Sequence, residues 1–338
     1  MNRRTISVGV AVFFTALCLW LAARNVQFAT LGGILAGAKW RWLVPILLIG
    51  LLDILIRALR WRILLSQAVS ASVMDLFRLE AIGLAVNNML FARLGEVLRG
   101  VLAARQLGIP VATSLASVVV ERALDVAALL GLFCGAAWLA PDIVPAPIRH
   151  AGALLLGAVI AALIFLVLAE RTLEDGAWLE RRLRAWPKLH EMVEHLALGA
   201  AVLRRPRALV PVAALSLGLW AVDAVVYWLA AQALGLADLI DYPRAILVLS
   251  WAGAGSAMPA VPGGIGTFEA MVKSILEKFG ASAPEAFAYA LGLHMLMYIT
   301  VTGLGLIFLY RVGLSLGGIK ASLASRQTPT GSAAGGRP

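Results

Sequence analysis

Pro259-Ala260-Val261-Pro262-Gly263-Gly264-Ile265-Gly266-Thr267-Phe268-Glu269 lies inside a hydrophobic stretch long enough to enter a bilayer. Proline lacks the N–H a helix needs and glycine is a poor helix former, so this segment interrupts any helix running through it. Broken backbone at membrane depth survives only where protein buries it or water reaches it. A carboxylate, Glu269, follows at once. Interrupted, charged membrane helices are where transporters place their sites. The stretch therefore points to a membrane protein that handles a polar or amphiphilic substrate.

The rest of the chain agrees with a bilayer setting. Of 338 residues, 61% are hydrophobic and 14% charged, and mean hydropathy is +0.88. A soluble domain is about half apolar and about a quarter charged. The net charge of +10 then belongs to loops facing anionic lipid headgroups. It does not indicate nucleic acid, for which no zinc-ligand spacing or RNA-binding aromatic signature is present. Cys18 and Cys134 both fall in apolar spans and read as small core residues.

Six full spans are predicted at 6–23, 42–59, 114–140, 151–169, 208–234 and 285–310. The first resembles a signal peptide, but its eighteen residues reach about 27 Å and more spans follow, so a retained anchor is expected. Two further apolar regions, 75–92 and 245–280, are interrupted and read as broken or re-entrant. The fold class is thus an all-α polytopic membrane protein with about six transmembrane helices plus two broken regions, laid out as an inverted repeat would be. Counting the broken regions as spans gives eight. Eight basic residues lie in 170–207, and Arg3, Arg4, Arg57, Arg60, Arg62, Arg311, Lys320, Arg326 and Arg337 mark other basic segments. By the positive-inside rule both termini, the 57–62 turn and the 170–207 loop are cytoplasmic. Arg24, Lys39 and Arg41 argue the other way. The loop 170–207, with Trp178, Leu179, Leu183 and Trp186, reads as interfacial helix or solvated linker. Residues 1–312 form the membrane domain, and 313–338, basic and rich in Ser, Ala and Gly, form a disordered cytoplasmic tail.

Three charged clusters stand out. The first is Asn87, Asn88, Arg93, Gly95, Glu96 and Arg99. Two arginines around one glutamate leave net positive charge, which suits a phosphate or other anionic headgroup, because guanidinium meets phosphate in a fork. The alternative is an interfacial helix with snorkelling arginines. The second is Glu121, Arg122 and Asp125, either a site or an internal ion-pair lock with Arg93 or Arg99. The third joins Pro262, Gly263, Gly264 and Gly266 to Glu269, Lys273 and Glu277. Here i, i+4 spacing predicts Glu269–Lys273 and Lys273–Glu277 pairs. Thr267 is placed to cap a helix whose free N–H groups would make an anion site. Asp53 with Arg57, Asp223, and His294 with Tyr298 read as polar contacts rather than ligands.

Taken in order, Asn87…Arg93-Leu94-Gly95-Glu96…Arg99, Glu121-Arg122…Asp125 and Pro262-Gly263-Gly264-Ile265-Gly266…Glu269 resemble the membrane domain of lysylphosphatidylglycerol synthases, the flippase-like domain family. Arg57-Ala58-Leu59-Arg60-Trp61-Arg62 is similar to the end of that family's second span, and the resemblance runs from about residue 6 to 312. It implies movement of a polar lipid between leaflets: phospholipid, glycolipid, polyprenyl-linked or hopanoid. It implies no aminoacyl transfer, because the soluble domain that performs it does not follow here. The expected function is a lipid flippase of a bacterial-type inner membrane, not an enzyme, with no cofactor and no metal. Membrane lipids are its expected partners, alongside envelope-lipid biosynthetic enzymes. Two alternatives stand beside it: a non-catalytic subunit of envelope-lipid assembly, and an intramembrane transferase using Glu96, Asp125 or Glu269 as a base.

Overall fold

The structure, a computed structural model of the protein, describes residues 13, 15–90, 93–174, 193, 196, 199–258 and 262–311. Among the described residues there are eleven α-helices and no strand. They are α1 (15–23), α2 (Phe28–Ala36), α3 (Leu43–Leu65), α4 (Val73–Met89), α5 (Leu94–Leu107) and α6 (Val111–Leu139). Then come α7 (Ala146–Glu174), α8 (Pro206–Ala233), α9 (Tyr242–Ala257), α10 (Thr267–Lys278) and α11 (Ala283–Arg311). The expectations for residues 175–192 of the 170–207 loop, for the tail 313–338 and for the start of the first span lie outside the described residues.

Four helices are long and apolar enough to cross a membrane: Trp40–Leu65, Ala146–Ala169, Pro206–Ala233 and Ala283–Arg311. They coincide with four of the predicted spans. The span expected at 114–140 forms as α6, a 29-residue helix carrying Glu121, Arg122 and Asp125. Helix ends follow local chemistry. Asp241 caps α9, accepting a hydrogen bond from Arg244 N at 2.9 Å. Glu285 folds back onto the N–H and hydroxyl of Ser282 at the start of α11, 2.9 and 2.6 Å away. Pro206 and Pro243 occupy first-turn positions, where a missing N–H costs nothing.

Two expectations are corrected here. The 57–62 segment is not a turn: α3 continues to Leu65, and Arg57 and Arg60 are buried in it. Only Arg62 remains exposed to mark the end of the span.

The interruption expected within 245–280 is present as the break between α9 and α10. The region 75–92 is corrected: α4 runs unbroken through Gly83 to Met89, and the chain leaves helix only there, before α5. In both α4–α5 and α9–α10 the two arms pack against one another. Lipid gives no hydrophobic push between helices, so close backbone approach and hydrogen bonds hold such arms together. Gly95 of α5 lies against the Gly83 carbonyl and Asn87 of α4. Gly255 of α9 likewise lies against the backbone of Thr267 at the start of α10, though less tightly. Helix α11 packs along α4, α10 and α2, and α8 packs along α3. The largest apolar cluster joins α6, α8, α9, α10 and α11 around Tyr227, Leu247, Val272 and Tyr289. A second surrounds Trp61 with Leu76, Leu79 and Val118. Helix α7 packs on α6 and exposes Leu154, Leu155, Ile164 and Leu168, a surface that only lipid or another apolar partner suits.

Candidate functional site

Asp53, Arg57 and Arg60 recur at i, i+4 and i+7 and so share one face of α3. Arg60 is the hub. Its Nη1 donates to Asp125 Oδ1 at 2.6 Å and to Ser216 Oγ at 3.1 Å, and its Nη2 donates to Glu121 Oε1 at 2.8 Å. Arg99 donates from Nη2 to the other oxygen of Glu121 at 2.8 Å and from Nη1 to Glu80. The Arg99 guanidinium also sits 4.7 Å from the Trp61 ring centre. Arg57 holds Asp53 at 2.8 Å and approaches Asp125 at 3.6 Å. Arg122 binds Asp125 at 3.0 Å and reaches Glu96 at 3.6 Å, and Glu96 lies 3.9 Å from Arg93.

These contacts form one continuous lattice across α3, α4, α5 and α6. Five carboxylates (Asp53, Glu80, Glu96, Glu121, Asp125) face five arginines (Arg57, Arg60, Arg93, Arg99, Arg122). Exact charge balance matters, because an unpaired buried charge is far costlier than a paired one. Exposure varies along the lattice. Arg60, Arg99, Glu80 and Glu121 are at most 2% exposed, whereas the Arg93 side chain is 56% exposed.

The Pro–Gly break is held by a second, smaller set of bonds. Gly263, Gly264 and Gly266 all take positive φ, 76°, 70° and 89°, which other residues adopt only with strain. Glu269 Oε2 accepts from Gly266 N at 2.6 Å, and its Oε1 lies 2.7 Å from His294 Nδ1. His294 Nε2 is 3.0 Å from the Gly263 carbonyl. One turn along α11, the Tyr298 hydroxyl donates to the Asn88 carbonyl at 3.0 Å; a turn further, Thr302 Oγ1 accepts from Asn88 Nδ2 at 2.9 Å. The stripe His294, Tyr298, Thr302 therefore fastens both interrupted units to α11.

Between lattice and break lies a cavity of about 680 Å³. Its wall includes Asn87, Asn88, Arg93, Glu96, Arg122 and Asp125 from one side and Pro262, Gly263, Gly264, His294 and Tyr298 from the other. Asp53 and Asp223 also line it, with Trp220, Phe268 and other apolar side chains between. Asp223 makes no hydrogen bond or ion pair among the described residues. A cavity of mixed polar and apolar wall bounded by two broken helices can accommodate a polar group attached to an apolar chain.

The structure thus divides the predicted site residues. Asn87, Arg93, Glu96, Arg122, Asp125, Pro262, Gly263 and Gly264 meet at the cavity. Arg99 and Glu121 do not; they are locked with each other, Arg60 and Glu80 in the interior. Gly95 serves the close crossing of α4 and α5. Gly266 and Glu269 lie behind the wall and shape the break.

Four expectations are corrected. The first cluster does not leave net positive charge in the site: Arg99 is turned inward, and the charged cavity wall carries Asp53, Glu96, Asp125 and Asp223 against Arg93 and Arg122. Glu269 does not pair with Lys273; it is drawn to Gly266 and His294, and Lys273 Nζ instead contacts the Arg24 carbonyl and Glu277, each at 3.2 Å. The start of α10 is no open anion site, because its own Glu269 carboxylate occupies the Gly266 N–H. Thr267 is not the cap: Gly266 holds that position, and the Thr267 hydroxyl donates to Gly264 O at 3.0 Å. Sequence reasoning missed Glu80, which follows Asp75 and Arg78 near the start of α4, and misplaced Arg60. The i, i+4, i+7 recurrence on α3 is the signal that points to Arg60.

A multi-pass helical membrane protein with two interrupted helices around a charged cavity is the class that this geometry defines. The chain belongs to the family described as the lysylphosphatidylglycerol synthase TM region, which it matches over residues 6–305. It is also 25% identical, over 316 residues covering 87% of this chain and 88% of the relative, to a UPF0104 membrane protein of Methanothermobacter thermautotrophicus. No solved structure matches the chain.

Proposed function

We propose that this protein moves the polar headgroup of an amphiphilic lipid between the leaflets of a bacterial-type inner membrane, using the central cavity as the polar path. The observation that carries this reading is the convergence of both helix breaks and the exposed end of the charge lattice on one cavity. Family membership adds a lipid-related role. A headgroup crossing hydrocarbon needs hydrogen-bonding partners throughout, and this cavity offers both signs of charge with apolar side chains between them.

Arg93 and Arg122 are the wall cations that meet the headgroup's negative oxygens. Asp53 and Asp223 accept hydrogen bonds from its donor groups. The protein acts as a non-catalytic carrier, with membrane lipids as its substrates. Both termini lie in the cytoplasm. A groove of about 1010 Å³ supports that orientation by bringing Arg62 of α3 beside Arg204, Arg205 and Arg207, so these basic residues occupy one side.

The test is reconstitution into liposomes with a panel of fluorescent-headgroup lipids and dithionite quenching. Wild type should flip at least one anionic or glycosylated lipid, and Arg122→Gln should slow it by about tenfold or more, the scale of one lost charge-assisted hydrogen bond. Absence of protein-dependent flipping across the whole panel would refute the reading.

A further inference from the structure

Both ring nitrogens of His294 face acceptors. Nδ1 is 2.7 Å from Glu269 Oε1, and Nε2 is 3.0 Å from the Gly263 carbonyl oxygen. A carbonyl has no proton to give, so Nε2–H is committed to Gly263. A neutral imidazole has only that one N–H. The 2.7 Å contact on the other nitrogen therefore needs a second proton, carried by Nδ1 or by the carboxyl. The pair thus holds one proton more than a carboxylate beside a neutral imidazole would.

Losing that proton places an Nδ1 lone pair against a carboxylate oxygen at hydrogen-bond distance, and the contact must open. What it holds shut is the break itself. Glu269 grips the Gly266 N–H and His294 grips the Gly263 carbonyl, so the pair spans the segment with three positive-φ glycines. His294, Gly263 and Gly264 line the cavity, so the proton has a route to solvent there.

Other charges are placed so as to leave this pair to itself. On α10, Lys273 is occupied by the Arg24 carbonyl and Glu277. On α11, the Tyr298 ring is edge-on to His294, 6.2 Å between centroids, with its hydroxyl on Asn88. From α1, Thr15 and Leu19 approach Gly266, and Cys18 is the titratable residue of the 15–23 helix. Across the cavity stand Arg93, Glu96, Arg122, Asp125, Asp53 and Asp223.

We propose that the Glu269–His294 pair binds and releases one proton in each transport cycle, and that release unlatches the Pro–Gly break beside the cavity. This rests on the lipid-translocation reading above. The proton passes to solvent in the cavity, leaving a carboxylate on Glu269 and a neutral imidazole on His294.

The test places a cysteine at Met258, an exposed cavity residue at the end of α9, in a Cys18→Ala, Cys134→Ala background in lipid nanodiscs. Labelling by a charged maleimide is followed between about pH 5 and pH 9, spanning the range where histidine changes charge. Rates are normalised to a cysteine at Tyr310, which is 86% exposed, to cancel thiolate ionisation. The normalised rate should rise about tenfold or more with pH, the scale of losing a charge-assisted hydrogen bond. Glu269→Gln keeps the latch without the extra proton: its amide oxygen accepts from Gly266 N–H and its NH₂ donates to Nδ1. That variant should stay slow at every pH. His294→Leu should stay fast at every pH.

A wild-type pH step surviving in Glu269→Gln, or the same loosening in both variants, would overturn the proposal, since a plain structural brace predicts the latter. Flipping in liposomes should follow the same pH step. Flipping that ignores pH overturns the proposal and leaves the translocation reading intact. No flipping despite a clear labelling step overturns the translocation reading, and coupling to transport with it.

Discussion

Replacing Arg60 by methionine removes the hub of the charge lattice while roughly keeping its volume. It strands two carboxylates that Arg60 holds at 2.6 and 2.8 Å in an interior where it is itself wholly buried. Removing one partner of a buried ion pair costs about 3–5 kcal/mol. Each stranded carboxylate retains a second arginine: Arg99 stays 2.8 Å from Glu121, and Arg122 stays 3.0 Å from Asp125. That places the loss at the lower end, about 3 kcal/mol. At about 2 °C per kcal/mol for a chain of this length, the apparent Tm in detergent should fall by about 6 °C. The double variant Arg60→Met, Asp125→Asn sharpens the test. It restores balance, four carboxylates against four arginines, with Arg57 on Asp53, Arg122 near Glu96, and Arg99 on Glu121 and Glu80. Neighbours in one lattice should couple, so the double variant should recover about half of the loss. A double variant no more stable than Arg60→Met alone, measured by intrinsic-fluorescence melting, would show that the lattice is not one coupled unit.

Gly95→Ala puts a Cβ against the Gly83 carbonyl and 2.6 Å from Asn87 Oδ1, so the α4 and α5 arms must part. The expected loss is about 1–3 kcal/mol in thermal melting, with slower lipid flipping because Asn87 lines the cavity. Tyr298→Phe removes the 3.0 Å bond to the Asn88 carbonyl. It should cost about 1 kcal/mol and speed amide exchange at the end of α4, while melting of the second apolar cluster around Trp61 stays unchanged. Trp61→Phe loses the 2.9 Å bond to Ser117 and part of the surface under Arg99. A drop of about 1–2 kcal/mol in melting checks it, and an unchanged Tm would argue against the Arg99–Trp61 stacking.

What the sequence made legible was the material whose meaning is local. Two prolines and three glycines crowded into 259–266 interrupt a helix by composition alone, so the second break was visible before any tertiary contact was known. The first, at Leu90 to Arg93, has neither residue, and Gly83 and Pro211 sit inside the unbroken helices α4 and α8. Long apolar runs define spans by length alone. The partner of each charge was not legible, because partners are set by helix phase and packing. Arg60 read as loop charge because three arginines in six residues at a span's end look like a cytoplasmic edge. Its side chain nevertheless points the same way as Asp53 and Arg57, into α6 and α8. Glu269 and Lys273 have ideal spacing, yet a geometry that only folding creates gave Glu269 better partners: a free N–H at a left-handed glycine and an imidazole from α11. Local electrostatic pairing across one turn is worth about 0.2–0.5 kcal/mol, too little to compete with a buried charge-assisted hydrogen bond.

The two halves around the cavity are held by interactions of different strength, and that difference indicates which half moves. On one side, α3, α4, α5 and α6 are joined by ten side chains in a balanced lattice, with Arg60 and Arg99 each bridging two carboxylates. Shifting any one helix there would strand buried charge, at a cost of several kcal/mol. On the other side, the break between α9 and α10 is fixed by Glu269 and His294 through three hydrogen bonds, and its glycines already occupy conformations from which several neighbouring basins are open. Helix α11 belongs to both halves. Its His294 holds the loose break, and its Tyr298 and Thr302 hold Asn88 at the edge of the rigid one. Under the proposed latch, a change at His294 therefore acts first on the Pro–Gly segment, with α4 and the lattice as the abutment it works against.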